Sequence, residues 1–295
     1  MTQPSAPIFL DVPALLDSSE VRPRFSAMRF VTAGCAVFIV LVWYFGKQSP
    51  QLESILSVVS TLALAFVVGS MFVSGMLTAR ALQAEQNQLS TIEELVQLRH
   101  WPQAAWAVQS FLSQSARLFS SRAQALLYLA MVLTRYHRFE ESVEVYDYVI
   151  AEIPLDDAAA HAVRLGRAMS LLREENLLDA DRAISELRRD SRGTESPGLA
   201  LVEIYRDVKT GHPTEALEMF DARLPVMRRQ LGHRLADVWA LAARAYDLLG
   251  RTAEAKAAFD NATLLAPLAE LIRRYPEVSA MVPRFTPAPA PVEAV

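Results

Sequence analysis

Cysteine is almost absent. Of 295 residues only Cys35 carries a thiol, so no internal disulfide framework can form. Glycine is scarce at 10 residues, which disfavours glycine-rich phosphate loops and many-turned all-β folds. Lysine is scarcer still: Lys47, Lys209 and Lys256 are the three among 29 basic residues. With so much Ala and Arg, that balance points to a GC-rich bacterial genome. A charge excess is missing too, since 29 − 33 = −4. A sequence-independent nucleic-acid binder needs a basic surface, so no nucleic-acid partner is expected. The 52% hydrophobic content excludes a disordered polyelectrolyte.

Catalytic signatures are also lacking. HExxH, GxSxG, GxGxxG and GxxxxGK[ST] do not occur, and each encodes a specific constellation that chemistry would need. No two of His100, His137, His161, His212 and His233 are spaced as a helical metal pair. Glu140-Glu141, Asp156-Asp157 and Glu174-Glu175 read as solvated surface or as acidic complements of helix starts. No catalytic residue, cofactor or metal is therefore expected, and the chain does not read as an enzyme.

What is present divides unevenly. Residues 1–85 hold five basic and five acidic side chains, and the remainder holds 24 and 28. Within the charge-poor part, Phe30–Gly46 is an uncharged run of 17 residues and Ser54–Ala79 one of 26. As helices these reach roughly 26 and 39 Å, against a hydrocarbon core of about 30 Å. Arg29 can snorkel and lengthen the first. The link from Lys47 to Gln51 is too short to recross a bilayer, so the runs predict a transmembrane hairpin over 29–82, with helices at about 29–46 and 53–79. Trp43 and Tyr44 fall where an interfacial aromatic belt belongs. Thr32-Ala33-Gly34-Cys35 is similar to a lipoprotein cleavage box, but here the cysteine opens an apolar stretch instead of closing one. Cys35 reads as a membrane-buried small residue. Arg22, Arg24, Arg29 and Arg80 flank the hairpin's ends and only Lys47 its loop, which places both termini in the cytoplasm. Thr61, Ala65 and Gly69 form a small-residue stripe suited to close helix packing, within the hairpin or between copies. Residues 1–28 and the Pro/Ala-rich 281–295 read as disordered tails.

From 86 to 280 apolar residues recur at three and four, a helical period. Pro154, Gly211, Pro213, Pro225, Gly250 and Pro267 fall between the periods. Ser90-Thr91-Ile92-Glu93 matches a capping box, predicting a break near 84–90. A unit then recurs: a small residue, a large apolar residue four further on, another three after that. Its small positions are Ala104, Ser142, Ala180, Ala216 and Ala255, at spacings of 38, 38, 36 and 39. Such a unit pairs two helices closely at the small residue, and successive pairs must stack to bury their apolar faces. The expected class is all-α: a two-helix hairpin followed by an α-solenoid of about five pairs.

The last unit carries Trp239, Ala242-Ala243, Tyr246, Gly250, Ala255, Phe259, Ala262 and Pro267. It resembles the tetratricopeptide repeat. The second resembles it too, through Leu126, Leu129-Ala130, Leu133, Phe139, Ser142, Tyr146, Val149 and Pro154. The third has two possible registers, because Leu165-Gly166 and Ala180 imply different loop lengths. The resemblance covers roughly 90–270, with a period longer than the family's 34 residues. It implies a partner-binding groove on the first helices, which by register would carry Met131, Arg135, Tyr205, Arg244 and Asp247. The Lys and Asn of the family's carboxylate clamp are missing, so that activity is not implied. Arg244 and Asp247, three apart, can also simply pair with each other.

The expected function is that of a scaffold or adaptor at the bacterial inner membrane, in contact with the bilayer and binding a protein partner. Two rivals differ in one feature each. The solenoid could face the periplasm and serve envelope assembly, or the small-residue stripe could build a structural homo-oligomer.

Overall fold

A computed structural model describes residues 10–18, 34, 37, 44, 53–114, 118–190 and 196–285. The described residues are all-helical, with no strand. Two compact units divide the chain, 1–136 and 137–295.

The first unit contains α1 (Val12–Ser18), α2 (Glu53–Gln97), α3 (Trp101–Leu112) and α4 (Phe119–Arg135). Residues 1–28, expected to be a disordered tail, include an ordered helix. Asp11 Oδ1 accepts from the Ala14 amide and starts α1. Leu10, Val12, Leu15 and Leu16 are buried, and Arg122 of α4 donates to the Leu16 carbonyl at 3.3 Å. Four apolar residues in a seven-residue window are enough to dock a segment that composition alone reads as loose.

The expected break at 84–90 is also absent: α2 runs unbroken for 45 residues. Ser90 and Thr91 spend their hydroxyls on the Asn87 carbonyl, each at 2.9 Å, and Glu93 accepts from Gln97. The capping box is thus bonded backward along a continuing helix. Leu89, Ile92 and Val96 form the buried stripe of its last turns. These turns pack on α3 and α4, which pack on each other.

Among the described residues no helix is long and apolar enough to cross a membrane, and no transmembrane hairpin is seen. Of its expected first helix only Gly34, Val37 and Tyr44 are described, all helical. The rest, including Cys35, lies outside the described residues, as do many side chains between 53 and 67.

The second unit contains α5 (Phe139–Glu152), α6 (Asp157–Glu174), α7 (Leu177–Asp190), α8 (Pro197–Thr210), α9 (Pro213–Gln230), α10 (Leu235–Leu248), α11 (Thr252–Leu265) and α12 (Leu268–Arg274). A 3-10 segment, Pro276–Met281, and α13 (Val282–Phe285) follow. From α5 through to α11 successive helices pack on each other, and α8 also packs on both α6 and α10. The architecture is solenoid-like: a layer of first helices backed by second helices. Caps explain several starts, since Asp156 accepts from the Ala159 amide at 2.7 Å and Ser196 from Leu199 at 3.2 Å. Pro225, expected between helices, sits inside α9, at the cost of one helical hydrogen bond.

The repeat is written into the backbone. Arg99, His137, Glu175, Gly211 and Gly250 all have φ between 60° and 79°, the left-handed region. Each lies five residues before a small position of the repeat. After four of them the next amide reaches back to the fifth preceding carbonyl: His100 to Leu95, Asn176 to Leu171, His212 to Asp207, Arg251 to Tyr246. That is the Schellman closure of a helix end. All five small residues, Ala104, Ser142, Ala180, Ala216 and Ala255, are 0% exposed. The third unit's ambiguous register resolves with Gly166 in mid-α6, where its missing side chain admits the Tyr146 ring.

Candidate functional site

The expected groove residues fall on both units. Met131 and Arg135 belong to the first. Met131 on α4 is 44% exposed. The Arg135 guanidinium lies 5.6 Å from the centre of the Trp101 ring, a cation–π distance.

Tyr205, Arg244 and Asp247 belong to the second unit, where they meet something the sequence reading did not place. Tyr205 on α8 is wholly buried, so it is not an open groove residue. Tyr275 covers it, ring edge to ring face at 5.0 Å between centroids. The Tyr205 hydroxyl donates to Glu277 Oε1 at 3.4 Å. Lys209, one turn on, lies 3.3 Å from the same Glu277 oxygen and 3.4 Å from Glu175. Asp247 accepts from Arg244 at 2.7 Å, as the three-residue spacing allows. It also pairs with Arg284 at 2.7 Å. Asp237, near the start of α10, is held by Arg274 at 2.5 Å.

Apart from Lys209–Glu175 and Arg244–Asp247, one segment, Arg274–Phe285, supplies these contacts. Only its last residues, from 281, were expected to begin a disordered tail; residues 274–280 were expected within the solenoid. Tyr275, Val278 and Met281 are 0% exposed, and Phe285 packs on Phe259 of α11 at 5.7 Å. Arg173, at the end of α6, lies 5.7 Å over the Tyr275 ring. The segment touches all three first helices of this unit. The ten-residue separation of Arg274 and Arg284 matches that of Asp237 and Asp247 on α10. The rises are similar, about 15 Å for the helix and about 18 Å for a 3-10 stretch continued by α-helix. The signal in the sequence was the paired spacing of Arg and Asp, which only the fold brings into register.

The electrostatics follow from burial. Burial raises the Tyr275 phenol to about 12, and the nearby Asp237 charge adds to the effect. Burial also holds Tyr205 well above its ordinary value, with Glu277 contributing.

Elsewhere, Thr61, Ala65 and Gly69 are exposed, and the space beside Gly69 is open. A cavity of about 490 Å³ between α5, α6 and α7 is lined by Arg164, Arg167 and Arg189 together with Asp147, Glu186 and Asp190. Arg164 pairs there with Asp190 and Arg167 with Asp147. Among the described residues no group of three or more His, Cys, Asp and Glu side chains could hold a metal ion. Compared with protein-family profiles, curated protein sequences and solved structures, the chain matches none.

Proposed function

We propose that this chain is a membrane-anchored helical-repeat scaffold of tetratricopeptide type that binds a protein partner at the bacterial inner membrane. The observation that carries the reading is the fivefold recurrence of a left-handed corner, each followed five residues later by a fully buried small residue. A stack of such pairs builds broad surface without a deep enclosed site, which suits protein recognition better than small-molecule chemistry. The uncharged runs Phe30–Gly46 and Ser54–Ala79 support the anchor, and the excess of arginine at the hairpin's ends supports cytoplasmic termini. Anchoring raises the local concentration of whatever the repeats hold.

Photo-crosslinking in cells tests this. A crosslinker at Met131 should capture one protein reproducibly from the membrane fraction, while one at exposed Lys256 should not. Equal capture from both positions, or recovery of the chain in the soluble fraction after lysis, would overturn the proposal. A C-terminal alkaline phosphatase fusion decides the side: strong activity would move the repeats to the periplasm.

A further inference from the structure

We propose that the groove over α8 and α10 is a receptor for a short helical peptide, and that Arg274–Phe285 is its resting occupant in cis. The partner segment that displaces it carries the same order of groups: a base, an aromatic, an acid, apolar residues, then a second base. The inference rests on the proposed partner-binding role only for what displaces the segment; the segment's own detachment is measured without any partner.

The groove dictates that order. Asp237 and Asp247 are buried carboxylates, with side chains 1% and 5% exposed. They receive Arg274 and Arg284. Tyr205 and Arg173 form the seat of the aromatic ring. Lys209 receives the acid, Glu277. Val278 and Met281 enter the apolar floor between them.

The segment is held as an occupant and not as a finished part of the core. Buried polar groups in a native core are nearly always hydrogen-bonded. Here Arg173 Nε, Arg273 Nε and Nη1, Tyr275 Oη and Glu277 Oε2 are buried with no hydrogen-bond partner among the described residues. Tyr275 Oη and Glu277 Oε2 belong to the segment itself, Arg273 is the residue before it, and Arg173 lies over the Tyr275 ring. The two contacts to Glu277 are long, at 3.3 and 3.4 Å. Arg284 is half in solvent. A ligand that meets these donors and acceptors more fully gains on the cis segment, whose advantage is the high effective concentration of a tethered chain.

The test uses the full-length protein. Hydrogen exchange should show the Tyr275 and Val278 amides, both hydrogen-bonded, exchanging at least tenfold faster than the central amides of α10. Equal protection would make the segment an integral cap and overturn the proposal. A labelled peptide of residues 272–287 is then titrated into the native chain and into Arg274→Ala/Arg284→Ala. Binding to the variant should be at least tenfold tighter, because its own segment no longer competes. A peptide with both arginines changed to glutamate should not bind. A folded variant that takes up the peptide no better than the native chain overturns the inference. If the variant does not fold, the exchange rates of the native chain decide.

Discussion

Gly166 offers the sharpest test of how the helix pairs fit. A Cβ at this position would lie 2.6 Å from Cζ and Oη of Tyr146 and 2.9 Å from its Cε1. Ordinary carbon contacts are about 3.5–4.0 Å, so the ring would have to retreat by roughly 1 Å. Tyr146 is buried in a core at crystal-like density, where such retreat is resisted. Two effects oppose each other in Gly166→Ala. The helix gains about 1 kcal/mol on propensity, and overpacking costs about 1–3 kcal/mol. The net is a loss of about 0–2 kcal/mol. Tyr146→Leu removes the clashing ring, so in that background Gly166→Ala should instead stabilise, by about 0.5–1 kcal/mol. The coupling between the two changes is then roughly 1–3 kcal/mol. Urea unfolding of the four proteins, followed by circular dichroism at 222 nm, measures it. The same sign in both backgrounds would refute the reasoning, as would stabilisation of the native chain by Gly166→Ala.

The buried tyrosines predict an alkaline weakness. Unfolded tyrosine ionises near 10, whereas folded Tyr275 keeps its proton to about 12 and Tyr205 holds its own well above the ordinary value. Above pH 10 the unfolded chain binds fewer protons than the folded one, so stability falls as pH rises. Each group contributes about 1.4 kcal/mol per pH unit, or roughly 2–3 kcal/mol in all at pH 11, and denaturation midpoints from pH 9 to 11 should show it. Ser142 and Ser170 share a buried hydroxyl contact at 3.3 Å. Ser142→Ala should cost about 1 kcal/mol by removing the hydroxyl that meets Ser170, and the double variant with Ser170→Ala should cost less than the sum of the two singles; thermal unfolding of the three proteins checks this. Glu175 holds a left-handed corner, with φ 71°. Glu175→Gly relieves about 1 kcal/mol of backbone cost and loses an exposed pair with Lys209 worth about 0.5 kcal/mol or less. A midpoint that rises slightly is the expected result, and one that falls by more than a degree or two counts against the corner assignment.

The repeat was legible because its two requirements are both written in side chains: a small residue where helices approach, and large ones four and seven later. Ala104, Ser142, Ala180, Ala216 and Ala255 all sit where the pattern put them. The corners were only partly legible. Glycine marks Gly211 and Gly250, but Arg99, His137 and Glu175 adopt the same left-handed backbone, and local propensity gives no hint of them. Windowed composition also misread both ends. Leu10 to Leu16 and Met281 to Phe285 are too short to show a period, and each is ordered by a surface formed elsewhere in its unit. Tyr205 lies on α8 but is closed off, because register cannot report what the rest of the chain lays over a helix face. The capping box at Ser90 failed for a simple reason. Its hydroxyls had a carbonyl one turn back to bond, and the helix lost nothing by continuing.

That continuity makes α2 a shaft. A rotation imposed about its axis near Ser54 must reappear at Leu89, Ile92 and Val96 with the same angle, since no corner intervenes to absorb it. Angular phase between the two ends is therefore fixed by residue count. One residue inserted between Arg80 and Asn87 would turn the buried stripe by about 100° relative to the apolar half, while seven would restore it to within about 20°. Function that survives the seven-residue insertion and not the single one would identify α2 as a transmitter of torque.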